Sequence, residues 1–409
     1  MEAGDVSGAD WGVFRRAVCG RRAAKVAGRN WEQQTLTLER QLIDRVEREG
    51  PITFRDFMQA ALYDSEHGYY NTARVKIGPR GDYYTSGNVH AVFGAILARA
   101  FVDLLASLDQ SSGASEDGPG ARAPFVLVEM GAGTGQLACD VITALRDEHP
   151  AAFERLSYVI VERSPAMRAL QRRRLSAFGG RVRWSALAEM EPIRNPAIFF
   201  SNEIVDAMPV HRVRFTGGGI REAWVTLNRE GKLALTYGEP SSPRLAEYLK
   251  RTGGELLEGQ QVEVGLDAAD WLGQVARVLT RGYLVTIDYG DQSAHLWGAD
   301  RRAGTLRSFF RHRITESVLA MPGHQDITAS VNFTALIQYG ADVGFELVSY
   351  ERQAAFLMRM GLLERIARLE RAGGGAIDDM KDRLAMKNFF VPGGVSDNFR
   401  VLIQRRGNY

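Results

Sequence analysis

The stretch Val128-Glu129-Met130-Gly131-Ala132-Gly133-Thr134-Gly135, followed by Tyr158-Val159-Ile160-Val161-Glu162-Arg163-Ser164, decides how this chain is read. The apolar run from Phe125 to Val128 has the composition of a buried strand, and Leu137, Ala138, Val141, Ile142 and Leu145 recur at helical spacing directly after the glycines. The glycines therefore occupy a strand-to-helix turn. Residues without a Cβ there let the backbone approach a ligand and take positive φ, while a helix amino terminus offers N–H groups. Glu162, at the tip of the next strand, can accept both hydroxyls of a ribose. Spacing selects the cofactor. A dinucleotide fingerprint is G-x-G-x-x-G with an acid about 20 residues on, whereas here Gln136 stands where the third glycine would fall and the acid comes later. Both departures favour S-adenosylmethionine, which has no pyrophosphate to bury, over NAD or FAD. The plainer alternative is a Gly-rich turn in a doubly wound domain.

With 409 residues, 45% hydrophobic and 24% charged, the chain has enough apolar material for one large domain or two smaller ones. A formal net charge of +2 gives no global pull toward nucleic acid or membrane. Cys19 and Cys139 stand far apart without a C-x-x-C partner, so neither a disulfide framework nor a metal site is expected. That cysteine usage fits a reducing compartment: the cytoplasm, or the mitochondrial matrix in a eukaryotic setting. No transmembrane span or signal peptide is expected, because no uninterrupted run of 18 apolar residues is found. The first thirty residues are Arg-rich but interrupted by Glu2, Asp5 and Asp10, and read as a loosely held extension rather than a transit peptide.

Along the chain, Leu38, Leu42, Ile43 and Val46 predict a short helix, and Thr53 with Asp56 a capping box for a second. A polar, Gly-rich and aromatic loop follows from Tyr69 to Asn88, and Val92 to Leu108 predict a strongly periodic helix. After the polar linker 109–124, strands are predicted at 125–130, 157–161, 182–185, 197–200, 282–287, 345–350 and 399–404, mostly separated by helical patterns. Ser164-Pro165 and Asn332 read as helix starts. Alternation of strand and helix argues for an α/β, doubly wound, mostly parallel sheet with its ligand at the carboxyl ends of the strands. Two insertions interrupt it, 207–280, with a hairpin around Asn228 to Gly231 and a helix from about Ala268 to Leu279, and 289–330, which is irregular. The expected organisation is an extension over 1–34, an N-terminal helical region over 35–123 and a sheet domain over 124–409, with Gly373 to Gly375 marking a break near its end.

Candidate chemistry follows the fourth strand, in Ser201-Asn202-Glu203-Ile204-Val205-Asp206. Methyl transfer is an in-line displacement, so catalysis is mostly alignment. Carboxylates help most when the acceptor is a guanidinium, which stays protonated and pairs bidentately. Asn202, Glu203 and Asp206 are thus candidates to present an acceptor; the alternative for the two acids is charge complementing a helix amino terminus. Asp288, before Tyr289-Gly290, either orients substrate and supports the surrounding network or simply forms a turn. In the second insertion Arg307, His312, His324 and Asp326 are placed along the same cleft, with His312 a catalytic candidate. The histidines lack metal-ligand spacing.

At these residues the chain resembles the DUF185 family of S-adenosylmethionine-dependent methyltransferases, of the MidA and NDUFAF-seven type. The resemblance runs through Gly50 to Phe54, Gly68-Tyr69-Tyr70, Gly81-Asp82, Thr85-Ser86, Glu129 to Gly135, Glu162 with Ser164-Pro165, Asn202-Glu203 with Asp206 to Pro209, Asp288-Tyr289-Gly290 and Asp326-Ile327-Thr328. It implies a class I, Rossmann-like methyltransferase fold and, from the best-known family activity, dimethylation of a protein arginine; mitochondrial members help assemble respiratory complex I. It further implies cofactor contacts from Glu129, Gly131, Gly133, Gly135 and Glu162, adenine near Ala186 and Leu187, and a lid formed by Gly81, Asp82, Thr85 and Ser86. Met208 stands where the family usually has Leu, and Val395 to Asn398 where Met-Gly is common. Rival readings are a small-molecule N- or O-methyltransferase, and an assembly factor that binds the cofactor without turnover. An oligomer is compatible with all three.

Overall fold

A computed structural model describes residues 37–72, 91–111, 123–310, 313–315, 317–371 and 398–407. The expected extension, the lid residues Gly81, Asp82, Thr85 and Ser86, His312 and the break at Gly373 to Gly375 lie outside the described residues. In chain order the strands are β1 (Ile52–Thr53), β2 (Phe125–Met130), β3 (Leu156–Val161), β4 (Val182–Ser185), β5 (Ala197–Asn202), β6 (His211–Thr216), β7 (Gly219–Leu227), β8 (Leu233–Gly238), β9 (Gln261–Val264), β10 (Gly282–Asp291), β11 (Arg307–Phe310), β12 (Arg313–Ile314), β13 (Asp326–Thr328), β14 (Val331–Asn332), β15 (Phe345–Arg352) and β16 (Phe399–Arg406).

The central sheet runs β15-β16-β10-β5-β2-β3-β4, with β14 extending the far end of β10. Neighbours from β10 to β4 are parallel, and β16 is antiparallel to both its neighbours. Inner strands such as β2 are buried along their whole length, as parallel strands covered on both faces must be. Side-chain alternation then divides them between two cores. Phe125, Leu127, Tyr158, Ile160, Ile198 and Phe200 pack under helices Ala91–Ser111 and Gln136–Glu148. Val126, Val128, Val159, Ala197 and Phe199 pack on the opposite face under helices Leu266–Val278 and Phe333–Asp342.

Helix Ala91–Ser111 is the strongly periodic helix expected from Val92 to Leu108. Its window Ala91–Gln110 is long and apolar enough to cross a membrane, with a mean hydropathy of 1.9. Packing decides its role: Phe93, Ile96, Leu97, Phe101, Leu105 and Leu108 are buried in the first core. Gly94 permits that approach, because a Cβ there would lie 2.5 Å from the Cβ of Asp140.

The other two sheets build the walls around the strand tips. The stretch 207–280 holds the expected helix, Leu266–Val278, and more strands than one hairpin. It forms an antiparallel sheet β1-β7-β6-β9, with β8 on β7, in which Ile52 and Thr53 of the N-terminal region pair with Val225 and Trp224. Asn228 closes the β7–β8 turn by accepting from the amides of Glu230 (2.9 Å) and Lys232 (3.0 Å), with Gly231 at φ +74°. The expected irregular stretch 289–330 contains the small sheet β12-β11-β13. Three caps stand where the sequence puts them: Thr53, Ser164 and Asn332 each accept from the amide three residues on.

Candidate active site at the strand tips

Register sets the frame. Met130 pairs with Val161 and Ser201, Val161 with Ser185, and Ser201 with Thr286. Gly131, Glu162, Ala186 and Asn202 each follow one of these residues and therefore share one edge of the sheet. Gly131, Gly133 and Gly135 take φ of +65°, +51° and +77°, a region where a side chain is strained. At Gly131 a Cβ would also sit 2.0 Å from the Cδ1 of Ile204. This is a backbone cradle at the start of helix Gln136–Glu148 that only glycine can line.

Two carboxyl groups, Glu129 buried and Glu162 half-buried, flank the cradle. Glu129 accepts a 2.7 Å hydrogen bond from the Tyr158 hydroxyl on the neighbouring strand. Burial pushes its pKa up to about 8, partly offset by that bond. Glu162 accepts from the Ser164 amide (2.9 Å) at Oε1 and from Gln171 Nε2 (3.0 Å) at Oε2, and burial holds it above the usual carboxylate range. These groups suit S-adenosylmethionine: an acid for its ammonium end, turns of bare backbone, and an acid for its ribose. Past β4, Arg277 donates to the carbonyls of Leu187 (2.8 Å) and Met190 (2.9 Å), and Leu187 is packed into the second core. Half-buried Ala186 stands beside it at the same edge of the sheet.

The acceptor side is built on a strained residue. Glu203 has φ +57°, one of two described non-glycine residues in that region. Its amide donates to the Ile287 carbonyl (3.0 Å), and the Asn202 carboxamide donates to its Oε1 (3.0 Å). Below it lies Asp288, wholly buried. Its Oδ2 accepts from the amides of Ile204 (3.1 Å), Val205 (2.9 Å) and Asp206 (3.4 Å), and its Oδ1 from Tyr289 (2.9 Å). Asp288 thus spends both oxygens on backbone. It holds the 203–206 loop in place, the supporting role that the sequence set beside substrate orientation.

Glu203 and Asp206 open with Asp326, Tyr70 and Tyr289 onto a cavity of about 450 Å³, whose lining includes Arg307. Burial first, then the nearby charges of Asp288, Asp326 and Glu203, raise the pKa of Asp206 well above the ordinary value. Burial also raises Asp288, but its four amide donors oppose this, so Asp206 is the acid of the pair that keeps its proton. Tyr289 shares the cavity wall with Asp206 and Thr328. The N-terminal region reaches the same place: Tyr63 donates to the Ala207 carbonyl (3.0 Å) and Tyr70 to Asp326 (2.9 Å). His324 is buried but does not line the cavity, so of the three described residues expected along the cleft the structure brings in Arg307 and Asp326. Sequence reasoning missed Tyr158, Gln171 and the bonds made by Tyr63 and Tyr70. Only the tyrosines' place beside quoted motifs hinted at them.

Residues 96–350 match the model of a family described as "Putative S-adenosyl-L-methionine-dependent methyltransferase". Protein arginine methyltransferase NDUFAF7, mitochondrial, of Danio rerio is 26% identical over 347 residues, spanning 80% of this chain and 76% of that protein. The same-named protein of Mus musculus is 26% identical over 367 residues, spanning 83% and 78%. A crystal structure of a COG1565 superfamily member from Burkholderia thailandensis, bound to S-adenosyl-homocysteine, matches with a TM-score of 0.80 and 28% identity over 95% of each chain. A glycine cradle between the acids Glu129 and Glu162, on a sheet of this order, fits that cofactor. The chain belongs to this family of S-adenosyl-L-methionine-dependent methyltransferases, with their α/β fold and their cofactor.

Proposed function

We propose that this enzyme methylates the guanidinium of an arginine in a protein, with Glu203 and Asp206 holding the acceptor. The observation that carries this reading is the cavity of about 450 Å³ beside the cofactor cradle, with Glu203, Asp206 and Asp326 in its lining. Mutual repulsion raises the cost of ionising these acids together. Arg301, Arg307 and Arg400 share the lining, and a cation seated directly against Glu203, Asp206 and Asp326 relieves the repulsion among those acids, which a neutral acceptor does not. The names of the curated relatives support arginine as the acceptor.

When bound, S-adenosylmethionine supplies an electrophilic methyl group on a sulfonium. In this reading Glu129 faces its ammonium, Gly131, Gly133 and Gly135 line its path, Glu162 takes its ribose and Ala186 borders its adenine. The chain's own residues do the rest. Glu203 and Asn202 fix one edge of the guanidinium, which keeps a nitrogen in line with the methyl group. Methylating a protonated guanidinium adds a positive charge, so a proton must leave. Asp206, which releases its own proton to solvent as the cation enters, is then free to accept it.

The test uses purified protein, S-adenosylmethionine labelled in the methyl group, and extract from a strain lacking the gene. Acid-stable methylarginine in a labelled protein band is expected. Label only in a small molecule, or in base-labile esters, overturns the reading. Glu203→Gln should abolish transfer while S-adenosylhomocysteine affinity stays within about threefold, since the residue is assigned to the acceptor alone.

A further inference from the structure

Helix Pro165–Arg174 is strongly polar, and the residue it buries is a glutamine, Gln171, with none of its surface exposed. A helix that turns an amide inward gives up the apolar contact that normally holds it, and the amide must be hydrogen-bonded to be tolerated. Gln171 makes three such bonds to three different parts of the sheet edge. Its Nε2 donates to the Gly133 carbonyl (2.8 Å) in the cradle and to Glu162 Oε2 (3.0 Å) at the tip of β3. Its Oε1 accepts from the Trp184 indole (2.9 Å) on β4. The amide can face only one way. An indole N–H only donates, whereas a carbonyl and an ionised carboxylate only accept. The contact is also close: a Cβ at Gly135 would lie 3.2 Å from the Gln171 Cγ.

We infer that Gln171 is a positioning residue for the ribose of the cofactor, held in orientation by Trp184. It joins the two halves of the grip, setting the spacing between the glycine turn and the acid. It also fixes the rotation of the Glu162 carboxylate, so that both oxygens can meet a pair of vicinal hydroxyls. Arg174, one turn on, braces the same turn through the Thr134 carbonyl (3.1 Å) and hydroxyl (2.7 Å). The inference rests on Glu162 taking the ribose.

The test is calorimetry on the full chain with two probes, S-adenosylhomocysteine and its 2′,3′-dideoxyribose analogue. The wild type should prefer the hydroxylated ligand. A wild type that binds both probes equally removes the ribose role of Glu162 and the inference with it, while leaving methyl transfer intact. Gln171→Met, of similar size, should weaken S-adenosylhomocysteine roughly ten- to a hundredfold, as expected for loss of a charge-assisted bond, but the analogue by less than about twofold. Its KM for S-adenosylmethionine should rise while kcat at saturation holds within about threefold. Equal weakening toward both probes means a merely structural role and overturns the inference, as does no weakening. Trp184→Phe removes only the donor that orients the amide. It should show the same selectivity at roughly three- to tenfold, and supplies the reading if Gln171→Met does not fold.

Discussion

Replacing Asp288 with Asn separates positioning from chemistry at the acceptor loop. The carboxylate accepts four backbone amides, three at Oδ2 and one at Oδ1. Asparagine is nearly the same size but has one accepting oxygen, so its amide group must confront N–H donors whichever way it is turned. With its oxygen toward Ile204, Val205 and Asp206, the Tyr289 amide is left unpaired, at a cost of about 1–3 kcal/mol. The three remaining bonds lose charge assistance, roughly 0.5–1 kcal/mol each. Against this, a buried charge is removed, whose cost is visible in the pKa of Asp288 being pushed up to about 7 by burial; that returns on the order of 4 kcal/mol. The summed losses of about 2.5–6 kcal/mol are therefore largely offset, and the net change in stability is at most about 2 kcal/mol. Urea unfolding of the full chain at pH 7 measures it, with calorimetry of S-adenosylhomocysteine alongside. Stability should change by no more than that, methyl transfer should drop as the loop loses its anchor, and cofactor affinity should stay within about threefold. Transfer at the wild-type rate would refute the argument, because the loop would then keep its shape without the carboxylate.

Two further expectations come from the same site. Glu203→Gly should leave stability unchanged or raise it by up to about 1 kcal/mol while transfer is lost, because glycine relieves the left-handed φ of +57°; a clear drop in the urea midpoint would show that the residue is not strained. Glu129 has its folded pKa raised from 4.5 to about 8. The folded state therefore binds that proton more tightly, and the cofactor-free protein loses stability as pH rises from about 4.5 to 8, then levels off. Glu129→Gln should remove this component, so its Tm should gain on the wild type steadily between pH 5 and 8. A Tm difference independent of pH contradicts the assignment.

Much of the fold is legible because it is written in short-range patterns. Period-2 and period-3.6 apolar spacing mark β2, β3, β5, β10 and their helices, the glycine spacing marks the cradle, and Thr53, Ser164 and Asn332 mark helix starts within four residues of themselves. Glu162, Glu203 and Asp206 could be picked out because strand ends in such a sheet gather at one edge. Other features depend on residues far apart in sequence. Asp288 looked as much like a turn former as a ligand until it was seen holding three amides more than eighty residues earlier. The pairing of β1 with β7 and the reach of Tyr70 to Asp326 carry no local signature. Helix Ala91–Ser111 is apolar enough for lipid by composition, and its burial under the sheet gives it another role.

By itself, then, the sequence determined the order of strands and helices, the glycine turn and the acids at the strand tips, since each is set by contacts within one element or one turn. Only the tertiary structure decided which acid faces the cavity and which holds the loop, and that a buried glutamine ties cradle to carboxylate. Burial and hydrogen-bond partners are properties of the assembled chain, and the same side chain becomes a base, a brace or a surface charge according to what folding brings against it.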